Sequence, residues 1–366
     1  MSKTEASLVD FDERMAPLTG SQTILSWHPA DEPPFRLAGL PWFEQDRTFR
    51  RMPLSPPEKL PDAVDWLANC PAGGQVAFRS DSRHVAVRVK LAAPADMNHM
   101  PATGQCGFDL YVGPPLGQRF HRASKYDHRQ TDYEVLLLYH PDAAMREFTL
   151  NFPLYQAVKE LRIGLDPEAQ IQPPSPYSRA GRVVIYGSSI TQGGCASRPG
   201  MAYPNILSRN LNMEVINLGF SGSGRGEPEV CRLFASIPET RLLVLDYEAN
   251  AGTVEQFGKT LPANIGIVRE RLPDVPVLVV SRIVYSTDFT HAESLRAREQ
   301  AREMQMHLVK NARDGGDAHL HFLDGSTVLG DDADECTVDG VHPTDLGFLR
   351  MAQGMAPAIR KILGIG

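Results

Sequence analysis

The spacing of apolar residues changes partway along this chain, and that change limits the possible folds more than any overall figure does. From about residue 20 to 170 the apolar runs are short and many alternate with polar residues: Gln75-Val76-Ala77-Phe78, Val85-Ala86-Val87-Arg88-Val89, Gly107-Phe108-Asp109-Leu110-Tyr111-Val112, Tyr133-Glu134-Val135-Leu136-Leu137-Leu138 and Glu147-Phe148-Thr149-Leu150-Asn151-Phe152. Pro and Gly separate them, and long helical periodicity is absent, so this half predicts an antiparallel sandwich. Beyond Arg182 apolar strands alternate with helices instead. Strands are expected at 183–186, 214–218, 242–246, 277–281 and 319–323, with helices at 203–211, 227–235, 254–271, 292–312 and 344–363. Five strands separated by helices imply a mostly parallel sheet covered on both faces, a three-layer α/β/α unit.

With 366 residues the chain exceeds what one hydrophobic core organises, and the hydrophobic fraction of 42% suffices for two. The expected division is a β-sandwich over 1–172, a linker over 173–180 and the α/β unit over 181–366. The run Gln172-Pro173-Pro174-Ser175-Pro176-Tyr177-Ser178 resists regular structure and marks the join.

The net charge of -7 comes without a basic cluster able to track a phosphate backbone, so nucleic acid is not an expected partner. The opening Met1 to Asp10 is polar, and no segment supplies about 18 uninterrupted apolar residues; a cytoplasmic protein without membrane contact is expected. Cys70, Cys106, Cys195, Cys231 and Cys336 lack a CxxC spacing and read as reduced, buried thiols. Cys195 and Cys336 lie within a few residues of the stretches that carry the chemistry below.

In open parallel sheets ligands bind outside the carboxyl ends of the strands. Ser189, Gly222 and Asn250 follow the first, second and third expected strands there, so three loops converge on one crevice. Gly187-Ser188-Ser189-Ile190-Thr191 alone reads as a turn or a helix cap. It gains weight from Asp339-Gly340-Val341-His342, because residues three apart in a turn can set a carboxylate against Nδ1 of the histidine and leave Nε2 for Ser189. Pro343 and Thr344 then open the last helix, with Thr344 as its N-cap. Gly222-Ser223-Gly224-Arg225-Gly226 lacks the spacing of a dinucleotide loop. His319 and His321 alternate on a strand without an evident third ligand, and sheet packing accounts for them. Asp331 to Glu335 is read as a solvated acidic loop, and Asn98-His99-Met100-Pro101 as surface or as an overhang of the crevice.

The blocks Gly187-Ser188-Ser189-Ile190-Thr191, Asn217-Leu218-Gly219-Phe220-Ser221-Gly222, Asn250 and Asp339-Gly340-Val341-His342-Pro343 resemble, in order, those of the SGNH or GDSL-type hydrolases. The resemblance covers roughly residues 180 to 364. The whole chain is similar to a bacterial two-domain subgroup, and Gly193-Gly194-Cys195-Ala196-Ser197-Arg198-Pro199-Gly200-Met201-Ala202-Tyr203 extends the likeness. It implies a flavodoxin-like hydrolase domain behind a jelly-roll-like sandwich. It also implies Ser189 as nucleophile, His342 as general base and Asp339 as its orienter. The Ser189 and Gly222 N–H groups and the Asn250 amide would form the oxyanion hole. Ser188 stands where the family commonly has Asp, and around Asn250 only the amide of the third block is kept.

The expected activity is a metal-independent, cofactor-free serine esterase acting through an acyl-enzyme on a small-molecule or carbohydrate ester, with a short acyl group on a sugar preferred by analogy. An acyltransferase is the alternative, and a carbohydrate-binding protein with an inactive hydrolase domain is a third reading that the intact Ser189, Asp339 and His342 oppose. Oligomeric state is left open.

Overall fold

In the computed structural model the described residues are Asp12, Ala16 and 24–365; the polar opening stretch at 1–10 lies outside them. The chain beyond Arg182 builds one parallel sheet from β1 (Arg182–Gly187), β2 (Glu214–Gly219), β3 (Thr240–Asp246), β4 (Val277–Val280) and β5 (Leu320–Leu323), in the order β2-β1-β3-β4-β5. That is the flavodoxin-like order, with its switch point beside β1. Alternate residues of the strands feed two separate cores. Val184, Tyr186, Ile216, Leu243 and Val277 pack under the helices Pro228–Phe234, Val254–Arg271 and Ala292–Asp314. Val183, Ile185, Val215, Val244 and Leu278 pack under Tyr203–Leu211 and Asp345–Leu363. Each strand is apolar on both faces because both faces are covered.

The N-terminal half forms two antiparallel sheets. One runs Ser26–Pro29, Val158–Leu165, His84–Leu91, Asp132–Tyr139. The other runs Ile171–Gln172, Gln75–Ser80, Arg146–Asn151, Asp109–Val112, Arg119–Ala123, with Arg36–Ala38 also on Gln75–Ser80. Phe78, Val87, Phe108, Val135, Phe148 and Ile163 fill the space between them. The expected strands all appear, shifted by a residue or two at their ends. The prolyl stretch after Gln172 is irregular yet anchored: Glu147 accepts from the Ser175 amide at 2.9 Å and from its hydroxyl at 2.8 Å, and Arg36 donates to the Ser175 carbonyl at 2.7 Å.

The two halves share their interiors. Met52, Leu60, Val64 and Leu67, around the helix Asp62–Leu67, join the first core of the parallel sheet, while Met100, Leu154 and Tyr155 join the second. Arg51 is fully buried between them, donating Nε to the Cys70 carbonyl at 2.6 Å, Nη2 to Leu67 at 2.9 Å, and Nη1 to Asn217 at 3.2 Å and Gly219 at 2.5 Å. Burial pulls its pKa down to about 10, so it remains a cation at neutral pH. Among the described residues no helix is long and apolar enough to cross a membrane.

β3 ends in Asp246, in register with Gly187 of β1. Its carboxylate accepts from the Tyr203 hydroxyl at 2.6 Å and the Thr191 hydroxyl at 3.1 Å, joining the sheet end to two helices. Burial raises its pKa to about 7 against the opposing effect of those two donors.

Both buried groups lead to measurable outcomes. Arg51→Met strands the four carbonyls and is expected to lower the unfolding free energy by about 3 kcal/mol in urea denaturation; a change below about 0.5 kcal/mol would mean the carbonyls find other donors. Folded Asp246 keeps its proton where the unfolded chain, with a carboxyl pKa of about 4, has already lost it. Its contribution to stability is therefore largest below about pH 4, falls as pH rises toward about 7 and is level beyond. In thermal melts the advantage of the wild type over Asp246→Asn should shrink across that window; parallel curves would exclude the raised pKa.

Candidate active site

β1 stops at Gly187, and the chain turns at once into the short helix Ser189–Gln192. Ser188 is extended, and its Oγ accepts the Ile190 N–H at 3.2 Å, so this serine serves as the helix cap. Ser189 is the first helical residue, and its Oγ lies 2.8 Å from His342 Nε2. The helix sits so close to β2 that a Cβ on Gly219 would stand 2.1 Å from the Gln192 nitrogen, which only glycine avoids. Side-chain amides tie the turn to its neighbours. Asn217 donates to the Thr191 carbonyl at 2.8 Å, and Gln192 donates to the Leu154 carbonyl and accepts the Ser221 amide, both at 3.0 Å.

The histidine comes from a tight turn closed by Val338 N–H donating to the His342 carbonyl at 2.8 Å. Asp339 uses both oxygens. Oδ1 accepts the Val341 and His342 amides at 3.0 and 2.8 Å, and Oδ2 contacts His342 Nδ1 at 2.7 Å. Partial burial pushes the Asp339 carboxyl up, but those amides and the ring outweigh it and hold the pKa at about 2. The carboxylate is thus ionised at any ordinary pH and fixes the ring with Nε2 toward Ser189. Thr344 caps the following helix, accepting from the Gly347 amide at 3.3 Å. From behind, the Ser286 amide donates to the Gly340 carbonyl at 2.9 Å, and the loop of Ser286 is itself held by the Arg282–Asp288 ion pair at 2.8 Å.

Gly222 has φ +63°, and a Cβ there would have nothing within 4 Å, so its backbone faces open space. Among the described residues neither its amide nor that of Ser189 is engaged in a backbone hydrogen bond. Asn250 ends a 3₁₀ turn after β3, and its Nδ2 donates to the Phe220 carbonyl at 3.3 Å, which brings the amide against the loop that carries Gly222. All five residues singled out by sequence therefore lie on the loops at the carboxyl end of the sheet or on the turn that faces it.

Three neighbours to which the sequence reading gave no role lie beside them. Tyr155, from the N-terminal half, donates its hydroxyl to the Ser189 carbonyl at 3.2 Å. The His99 ring stands edge-on to His342 with centroids 5.9 Å apart, so Asn98-His99-Met100-Pro101 does overhang the crevice. Cys195, buried and at φ +75°, also approaches His342. The position of Cys195 near the first block and the reading of Asn98-His99-Met100-Pro101 as an overhang pointed this way; Tyr155 depends on how the sandwich docks. All five cysteines are free and buried, and among the described residues His319 and His321 belong to no metal-ligand cluster.

A hydroxyl, imidazole and carboxylate linked in this order form a relay that can take a proton from the hydroxyl during attack on a carbonyl.

Residues 180–360 match the model of the GDSL-like Lipase/Acylhydrolase family, and residues 25–171 match GxDLY, the N-terminus of the SGNH-hydrolase type of esterase. The letters of that second model are met here by Gly107, Asp109, Leu110 and Tyr111, and Asp109 crosses to the hydrolase half, accepting from Arg198 at 2.9 Å and the Gly200 amide at 2.8 Å. No curated protein matches the chain. Among solved structures, one from Bacteroides ovatus, described as a GDSL-like lipase, is 30% identical over 94% of this chain and 99% of its own, with a TM-score of 0.86. A salicylyl-acyltransferase from a tetracycline biosynthetic pathway shares the fold at 19% identity (93% and 99% covered, TM-score 0.70), as does a family two carbohydrate esterase from Clostridium thermocellum in complex with cellohexaose at 16% (80% and 93%, TM-score 0.59). With both halves matched by models of one type and a solved relative aligned along nearly its full length, the chain belongs to the GDSL-like lipase/acylhydrolase family, the SGNH-type hydrolases.

Proposed function

We propose that the chain is a serine esterase that removes a short acyl group from a carbohydrate ester. The observation that carries the reading is the unbroken contact chain from Ser189 Oγ to His342 Nε2 at 2.8 Å and from His342 Nδ1 to Asp339 Oδ2 at 2.7 Å. Ser189 Oγ adds to the ester carbonyl while its proton passes to Nε2, and Asp339 stabilises the imidazolium that forms. The negative charge on the former carbonyl oxygen is met by the Ser189 and Gly222 amides and by the second N–H of Asn250, whose first is occupied by Phe220. Collapse expels the alcohol oxygen, which takes the proton from Nε2 and leaves an ester on Ser189. Water then adds by the same route, and the carboxylic acid departs.

The carbohydrate assignment rests on the carbohydrate esterase named among the structural neighbours, a likeness of fold. The acyltransferase neighbour supports a second reading, in which an alcohol replaces water at the acyl-enzyme. The two share every step up to deacylation and differ in the acceptor, so products formed with and without added alcohols separate them.

Ser189→Ala should lower hydrolysis of p-nitrophenyl acetate by about 10⁴-fold or more. A fluorophosphonate adduct should map to Ser189 by mass spectrometry; an adduct on Ser188 would move the nucleophile by one residue. For Asn250→Ala the expected effect is a drop in kcat of about 100-fold with KM little changed, and an unchanged kcat would assign the third donor elsewhere.

A further inference from the structure

The imidazole that faces Ser189 also faces two groups outside the relay. His99 lies between the sandwich strands His84–Leu91 and Asp109–Val112, and Cys195 lies on the loop after the helix Ser189–Gln192. One ligand atom from each of His99, Cys195 and His342 falls within 4.8 Å of the others. A thiolate and two imidazoles form a donor set suited to zinc. Around tetrahedral zinc, with Zn–N about 2.0 Å and Zn–S about 2.3 Å, such donors stand roughly 3.3 to 3.6 Å apart. Closing the cluster therefore asks for a shift of about 1 Å, within the rotamer freedom of a surface side chain, and His99 is exposed at the rim.

The other two donors are already held. Asp339 occupies His342 Nδ1 at 2.7 Å, the carboxylate–histidine arrangement that orients metal-ligating histidines and makes Nε2 the more basic donor. Cys195 adopts φ +75°, a left-handed region that non-glycine residues rarely occupy. The loop keeps it there: the Ala196 amide donates to the Gly193 carbonyl at 3.1 Å, and the Ser197 amide to Asp345 at 2.9 Å. Asn98 Oδ1 contacts His99 Nδ1 at 3.1 Å, which leaves Nε2 of that ring free.

We propose that His99, Cys195 and His342 form an inhibitory zinc site, with water or Ser189 Oγ as fourth ligand. On binding, Zn²⁺ displaces the Cys195 thiol proton to solvent and takes the Nε2 lone pair that would otherwise receive the Ser189 proton. Metal binding and acylation then exclude each other, and chelation restores the base. The inhibitory effect rests on the esterase reading above; the binding of the metal does not.

The test uses the full chain freed of metal with EDTA. Micromolar Zn²⁺ should suppress p-nitrophenyl acetate hydrolysis at least about tenfold, and excess EDTA should restore it. Cys195→Ser should keep the zinc-free rate yet need at least about tenfold more zinc for half-inhibition, and His99→Ala should also require more, as expected when a ligand is removed. Co²⁺ supplies a readout independent of turnover: a thiolate-to-cobalt charge-transfer band should appear with the wild type and with Ser189→Ala, and vanish with Cys195→Ser. Zinc sensitivity unchanged in Cys195→Ser, or no cobalt band in an active wild type, overturns the site. A cobalt band on a chain inactive toward every ester overturns the esterase reading instead, and leaves the metal site standing.

Discussion

A guanidinium buried without an ion-pair partner among the described residues holds the working end of this molecule together. Arg51 would be costly in an apolar core, and what offsets its lost hydration is a ring of carbonyls at Leu67, Cys70, Asn217 and Gly219. Two of those belong to the N-terminal half and two to the end of β2. Its Cζ also lies 4.6 Å from the ring centroid of Phe220, two residues before Gly222. The segment expected to carry oxyanion donors is therefore fixed by a side chain about 170 residues earlier. Tyr155 on the Ser189 carbonyl and Leu154 on Gln192 repeat the pattern on the other side of β1. The sandwich half is in this sense part of the active-site scaffold.

That dependence explains what could and could not be read from the sequence. The parallel strands were legible because burial on both faces leaves near-continuous apolar runs, and the helices between them because their caps and periodicity are local. The contacts among Ser189, His342 and Asp339 could be anticipated for the same reason: Ser189 sits at a strand end, and Asp339 and His342 share one turn, so little tertiary knowledge is needed to pair them. The strand Val158–Leu165 was missed because Lys159, Glu160 and Arg162 interrupt its alternation, and Arg119–Ala123 because as an edge strand it is largely exposed. The loop of His99 was read as surface or as an overhang of the crevice, but Arg51 and Asp246 escaped altogether. Each is a polar residue whose surroundings come from distant segments, and no period or spacing encodes a buried cation that finds carbonyls rather than carboxylates.

Asn250 and Ser188 show how chemistry outlasts the residues around it. At the position before Ser189, where the family commonly has Asp, Ser188 caps the helix through Oγ, so the turn needs a short side-chain acceptor and not a charge. A carboxyl lies one strand away in Asp246, held by Tyr203 and by Thr191 of the helix that carries Ser189. Asn250 lacks the flanking residues of its usual block, yet its bond to Phe220 gives its amide a fixed orientation.

The feature that would suit His342 to act as a base in the proposed reaction would also expose it to capture by a metal. Asp339 spends one oxygen on two backbone amides and the other on Nδ1, which leaves the ring few ways to turn and leaves Nε2 as its open nitrogen. A proton and a soft cation want the same lone pair in the same direction. Here a thiol held in a left-handed turn and a second imidazole from the sandwich half stand close to that ring, with one ligand atom of each within 4.8 Å of the others, which is what the proposed zinc site draws on. The relay's reactivity and its susceptibility to metal thus share one structural cause.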